Sequence, residues 1–146
     1  MWEIVSTNNE VLEFMEKVCY FHDSCIKEIN YISGAYVDEN LSMYPMNNRR
    51  VLRVVIQRQY EKNPMIEMEF QGLKYIKLFP VDESHTCEML DSMMTMKDGN
   101  IYWCDSDNLP KTDTDDYAGT LICASKLRWR SIKDHMGEKE FYHSDM

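Results

Sequence analysis

Phe21-His22-Asp23-Ser24 holds the one His-Asp pair of the chain. Imidazole and carboxylate are ordinary metal ligands and proton carriers, so His22 and Asp23 could form half of a metal or acid–base site. Adjacent side chains on a strand point to opposite faces, so these two converge only if they lie in a turn. In such a turn Asp23 or Ser24 would cap the junction while His22 bonds to nearby backbone. That purely structural role is the stronger reading of the motif. His85, His135 and His143 have no ligand spacing among them.

A second candidate is the acidic stretch containing Asp105, Asp107, Asp113, Asp115 and Asp116. Asp105-x-Asp107 begins like a calcium-binding loop. Leu109 then stands where a third oxygen ligand belongs and Pro110 where the sharp turn needs glycine, so the match fails. A solvated acidic loop is the default reading, and a docking surface for a basic partner is the sharper one. Lys126, Arg128 and Arg130 alternate with Leu127 and Trp129, and with Arg53 they could form a basic face. Pairing with carboxylates on neighbouring strands explains them better than nucleic acid does. Glu67 and Glu69 share one strand face and read as solvent-facing charge. No nucleophile elbow and no glycine-rich phosphate cradle occur. No catalytic residue and no cofactor is implied, and the metal question stays open.

The elements that must position these residues follow from periodicity. Thr7-x-x-Glu10 has capping-box spacing, and Val11, Leu12, Phe14, Met15, Val18 and Cys19 form one apolar stripe. The pattern predicts a helix over residues 8–20. From Cys25 the period changes to two, and further strands are expected from residue 51, from 66, from 75 after a break at Gly72, and around Asp98-Gly99 as a hairpin. A last strand spans residues 117–132. Residues 38–48 read as a loop. The expected fold is α+β: an N-terminal helix packed on a curved antiparallel sheet or two-sheet sandwich of about six strands. Residues 1–132 are expected to form one domain, and 133–146 a polar, frayed tail.

At 146 residues with 16 basic and 25 acidic side chains, the formal net charge is -9. Such a surface disfavours nucleic acid and anionic membrane, because neutralising phosphate needs clustered Lys and Arg. The apolar runs are too short to span a bilayer. Five cysteines without CxxC spacing and a start without a signal-peptide pattern point to reduced thiols in a cytoplasm.

Phe21-His22-Asp23-Ser24-Cys25-Ile26-Lys27-Glu28-Ile29, with Gly119-Thr120-Leu121-Ile122-Cys123-Ala124 and Leu127-Arg128-Trp129-Arg130, resembles a group of small bacterial cytoplasmic proteins. These carry a Phe-His-Asp-Ser motif after the first helix and are loosely similar to immunity proteins of toxin systems. Together with the net charge of -9, the acidic stretch and the absence of catalytic motifs, the resemblance leads to the expectation of a non-enzymatic protein that occludes a basic protein partner, and it assigns no catalytic residues. Tyr36, Tyr44 and Tyr102 are candidate anchors on this reading. The rival reading is a small enzyme or metal-dependent ligand binder built on a His22-Asp23 pocket. A third is a homo-oligomer joined through an uncovered sheet edge.

Overall fold

A computed structural model describes residues 1–107 and 119–142. The elements are β1 (Glu3–Val5), α1 (Asn8–Lys17), a short 3-10 turn (Cys19–Phe21), β2 (Ser24–Ile32), β3 (Tyr36–Val37) and β4 (Met43–Tyr44). Then come β5 (Val51–Arg58), β6 (Met65–Phe79), β7 (Met93–Lys97), β8 (Asn100–Cys104) and β9 (Gly119–Ser131). Of the described residues 48% are in strands and 10% in helices, so the fold is mostly β and the α+β expectation is overturned. Two features account for the shift. The helix stops early because Cys19, Tyr20 and Phe21 all take left-handed φ, near +55°. The run after Gly72 does not start a new strand but continues β6.

α1 begins as its sequence predicts. Thr7 Oγ1 accepts the Glu10 amide at 3.1 Å, and Glu10 reaches back to the Ser6 amide at 2.6 Å. Val11, Phe14, Met15 and the C-capping Val18 are buried and belong to the main core.

Seven strands form one antiparallel sheet in the order β2-β5-β6-β9-β8-β7, with β1 beside β9. β6 and β9 pair along almost their whole length, from Ile66 opposite Ser131 to Phe79 opposite Gly119. β8 and β1 share the other side of β9, taking its first and last parts. β6 is irregular between Leu73 and Tyr75, just after Gly72 at φ +61°. A Cβ at Gly72 would come within 2.9 Å of Ser125 Oγ, so both conformation and space require glycine there. Asp98 and Gly99 make the β7–β8 turn with positive φ at both, as a two-residue hairpin demands.

One face of the sheet and α1 enclose the core. A chain of rings runs through it: Trp129 to Phe14 at 4.9 Å, Phe14 to Phe21 at 5.8 Å, Phe21 to Trp103 at 5.7 Å. Each such buried side chain contributes roughly 1.5–3 kcal/mol by leaving water.

The opposite face is polar and, contrary to the sequence reading, covered. Glu67 and Glu69 are only 1% and 3% exposed. Arg130 Nη2 sits 2.8 Å from Glu67; Arg128 Nη2 and Arg53 Nε sit 2.9 and 3.3 Å from Glu69. The expected pairing with neighbouring carboxylates is thus present for Arg53, Arg128 and Arg130. Trp2 lies against both guanidinium groups of β9, with ring centroids 4.3 and 4.4 Å from the Arg128 and Arg130 carbons. The tail adds a cover where fraying was expected. Gln57 donates to the Gly137 carbonyl, Glu28 accepts the Phe141 and Tyr142 amides, and the Tyr142 hydroxyl donates to Glu67. Burial pushes the Tyr142 phenol strongly up, and Glu67 adds to this. Burial also acts to raise Glu69, but Gln71, Arg128 and Arg53 outweigh it and hold its carboxyl below the usual value.

Candidate functional site

His22 and Asp23 occupy the turn between the 3-10 segment and β2. Asp23 takes φ +55°, and its amide donates to the Met89 carbonyl at 3.0 Å. Met89 in turn donates to the Ser24 carbonyl at 2.7 Å, closing an isolated antiparallel bridge between Ser24 and Met89. His22 Nδ1 lies 2.5 Å from the Leu90 carbonyl oxygen, and Nε2 lies 3.5 Å from Asp23 Oδ1. Ser24 is buried, and its hydroxyl donates to the His22 carbonyl at 3.2 Å. Phe21 drives the corner into the core with no exposure at all. Every polar member of the motif therefore has a backbone partner that ties the start of β2 to the 89–90 segment.

A cavity of about 530 Å³ opens beside this corner, lined by Asp23, Ser24, Cys25, Arg58, Cys87 and Glu88 among others. Arg58 is buried, and its Nη1 donates to the carbonyls of Lys62 and Asn63 at 3.0 and 2.8 Å. Its guanidinium also lies over the Tyr60 ring at 4.6 Å. Both carbonyls belong to the β5–β6 connection, so Arg58 pins that turn. His22 itself is not among the side chains that line the cavity. No group of three His, Cys, Asp or Glu side chains among the described residues could hold a metal ion.

Proton binding at His22 is expected to tighten the corner. The Leu90 carbonyl, then the Asp23 charge, raise its pKa above the ordinary value of about 6.5. A histidine raised on folding contributes stability that is full below its unfolded value and fades as pH rises through the folded one. NMR titration should place the His22 midpoint above that ordinary value, and His22→Ala should remove the matching slope from a stability–pH curve. An unshifted midpoint would contradict the contact with Leu90.

The acidic candidates separate. Asp105 is half-buried, and its Oδ1 accepts the Thr120 amide at 3.0 Å, holding the start of β9. Asp107 is exposed. Asp113, Asp115 and Asp116 lie outside the described residues.

A second unexplained surface is apolar. Residues 38–48, read as a loop, contain β4 and the turn of a two-stranded β3–β4 hairpin that belongs to a sheet of its own. Tyr36 is opposite Tyr44 and Val37 opposite Met43, and the two tyrosine rings stack at 4.8 Å. Asp38 Oδ1 accepts the amides of Asn40 and Ser42, which turns the chain, and Leu41 sits at φ +65°. Tyr36 is 58% exposed and Tyr44 46%, while Val37, Leu41, Met43 and Met46 are exposed as well. Strand pairs of two residues carry no readable alternation. The usable signal is Asp38 flanked by apolar pairs, an Asx turn between Tyr36-Val37 and Met43-Tyr44. Tyr102, the third anchor candidate, is only partly exposed and pairs with Cys123 on β9.

Compared with known proteins, the chain matches no family model, no curated protein and no solved structure. The geometry alone ranks the candidates. The corner is braced by backbone bonds, whereas the hairpin holds five apolar side chains, Tyr36, Val37, Leu41, Met43 and Tyr44, largely in water.

Proposed function

We propose that this chain is a non-enzymatic binding protein of the immunity type, bacterial and cytoplasmic, that occludes a basic protein partner. The observation that carries the reading is the β3–β4 hairpin. A domain gains nothing from exposing Tyr, Leu and Met side chains together on one small hairpin, and exposed apolar surface of this kind marks protein interaction sites. Stacked tyrosines are rigid, amphipathic anchors that lose little rotamer freedom on binding. The net charge of -9 supports a cationic partner, because complementary fields speed encounter and exclude wrong partners. The Phe-His-Asp-Ser resemblance points the same way.

The test begins with capture of the tagged protein from its native host at low salt, followed by identification of what is bound. A stoichiometric basic protein released by added salt is expected. Replacing Asp113, Asp115 and Asp116 together by Asn should then slow association with it and flatten the salt dependence of the rate. An unchanged rate would remove the acidic stretch from the account, and a partnerless protein would sink the reading.

A further inference from the structure

The sheet ends on β2, and among the described residues that edge is open beyond Ser24. β2 pairs with β5 on one side. On the other, backbone bonds join Asp23 and Ser24 to Met89, and no backbone group of β2 beyond Ser24 has a partner there among the described residues. The two chains meet at the Ser24–Met89 bridge and then diverge. Between them lies a cavity of about 520 Å³.

Its lining identifies what fits. Residues 26–29 of β2 all contribute; the register with β5 shifts between Ile26 and Glu28, and Ile26 and Ile29 both lie against the main core. Residues 86–89 and 78–81 form the facing walls. Ile26, Ile29, Leu78, Phe79, Val81 and Met89 supply the apolar surface. Two carboxylates, Glu28 and Glu88, stand beside one ammonium, Lys27, and Asp105 at the margin accepts the Thr120 amide. Lys27 turns its head to the Glu138 carbonyl, and Glu28 is held by neutral tail amides that leave its charge in place.

We propose that this wedge takes an extended segment of a partner protein as an added strand on β2, with apolar side chains toward Ile26 and Ile29 and Lys or Arg toward the acidic rim. Strand addition is a recurring mode of peptide capture: the edge supplies the hydrogen bonds and the flanking pockets supply the choice. The chain already uses this edge once, for its own Met89. The inference rests on the protein-binding reading and adds to it a second contact of different chemistry from the hairpin.

The probe is a heptapeptide of alternating Lys and Val, titrated into the 15N-labelled full chain, with the Glu and Val counterpart as control. Saturable amide shifts at residues 25–29 and 86–88 are expected with the basic peptide alone. Glu88→Lys should weaken them about threefold or more. Equal response to the acidic peptide, no saturable response, an unchanged affinity in Glu88→Lys, or shifts confined to residues 36–46 would each overturn the proposal. So would shifts at residues 25–29 that follow the protein's own concentration, since the occupant would then be a second copy. Failure here with a captured, hairpin-dependent partner defeats only the groove. A responsive groove with no captured partner leaves the groove and defeats the proposed function.

Discussion

Phe21→Ala is expected to destabilise the protein by about 3–5 kcal/mol, the usual cost of emptying a buried aromatic site. Phe21 has no exposed surface and stands between Phe14 and Trp103, each within 6 Å centroid to centroid. Its removal breaks the ring chain that joins α1 to β8. It also loosens a turn whose three left-handed residues persist only because the surroundings hold them. Domains of this size have roughly 5–15 kcal/mol in hand, so the variant should sit near the unfolding threshold. Urea denaturation measures the loss. The contrast with His22→Ala is the informative part: half-exposed His22 should alter pH dependence far more than stability at neutral pH. A loss below about 1 kcal/mol in Phe21→Ala would mean that the motif's aromatic is not the core anchor described above.

The second large effect belongs to the hairpin. Replacing Tyr36, Met43 and Tyr44 together by Ser should weaken partner binding by about 100-fold or more. Central anchors at interfaces cost at least about 2 kcal/mol each when truncated, and 1.4 kcal/mol is tenfold in affinity. Stability should barely change, because all three side chains are exposed and β3–β4 is a sheet apart from the main one. Titration calorimetry with the captured partner and a denaturation curve read the two quantities separately. A large fall in stability would instead give the hairpin a structural role.

Local chemistry was legible where it acts locally. Thr7 and Glu10 fixed the helix start, Asp98-Gly99 the β7–β8 turn, and Leu52, Val54 and Ile56 the buried face of β5. The placement of His22 against a backbone carbonyl also followed from residue type, since an imidazole in a turn has carbonyls within reach. What escaped depends on contacts distant in sequence. Alternation put Glu67 and Glu69 on one face but could not report that Trp2 and Tyr142 help to cover it. The polar composition of residues 133–142 suggested fraying, yet their backbone groups find Glu28, Lys27 and Gln57 on strands eighty or more positions away. The apolar stripe carried the helix reading on to residue 20, and nothing in the types of Cys19, Tyr20 and Phe21 announces left-handed backbone. The fold class failed for a related reason. One ten-residue helix was given the weight of a layer, while β3 and β4 were too short to register.

The central claim is that the exposed β3–β4 hairpin is a protein-binding element, and side-by-side capture tests it most directly. Wild type and the Tyr36→Ser, Met43→Ser, Tyr44→Ser variant would be tagged, expressed in the native host and recovered at low salt with equal yield. The account predicts one basic protein bound in stoichiometric amount to wild type and absent from the variant. The same partner recovered in equal amount with both chains would contradict it.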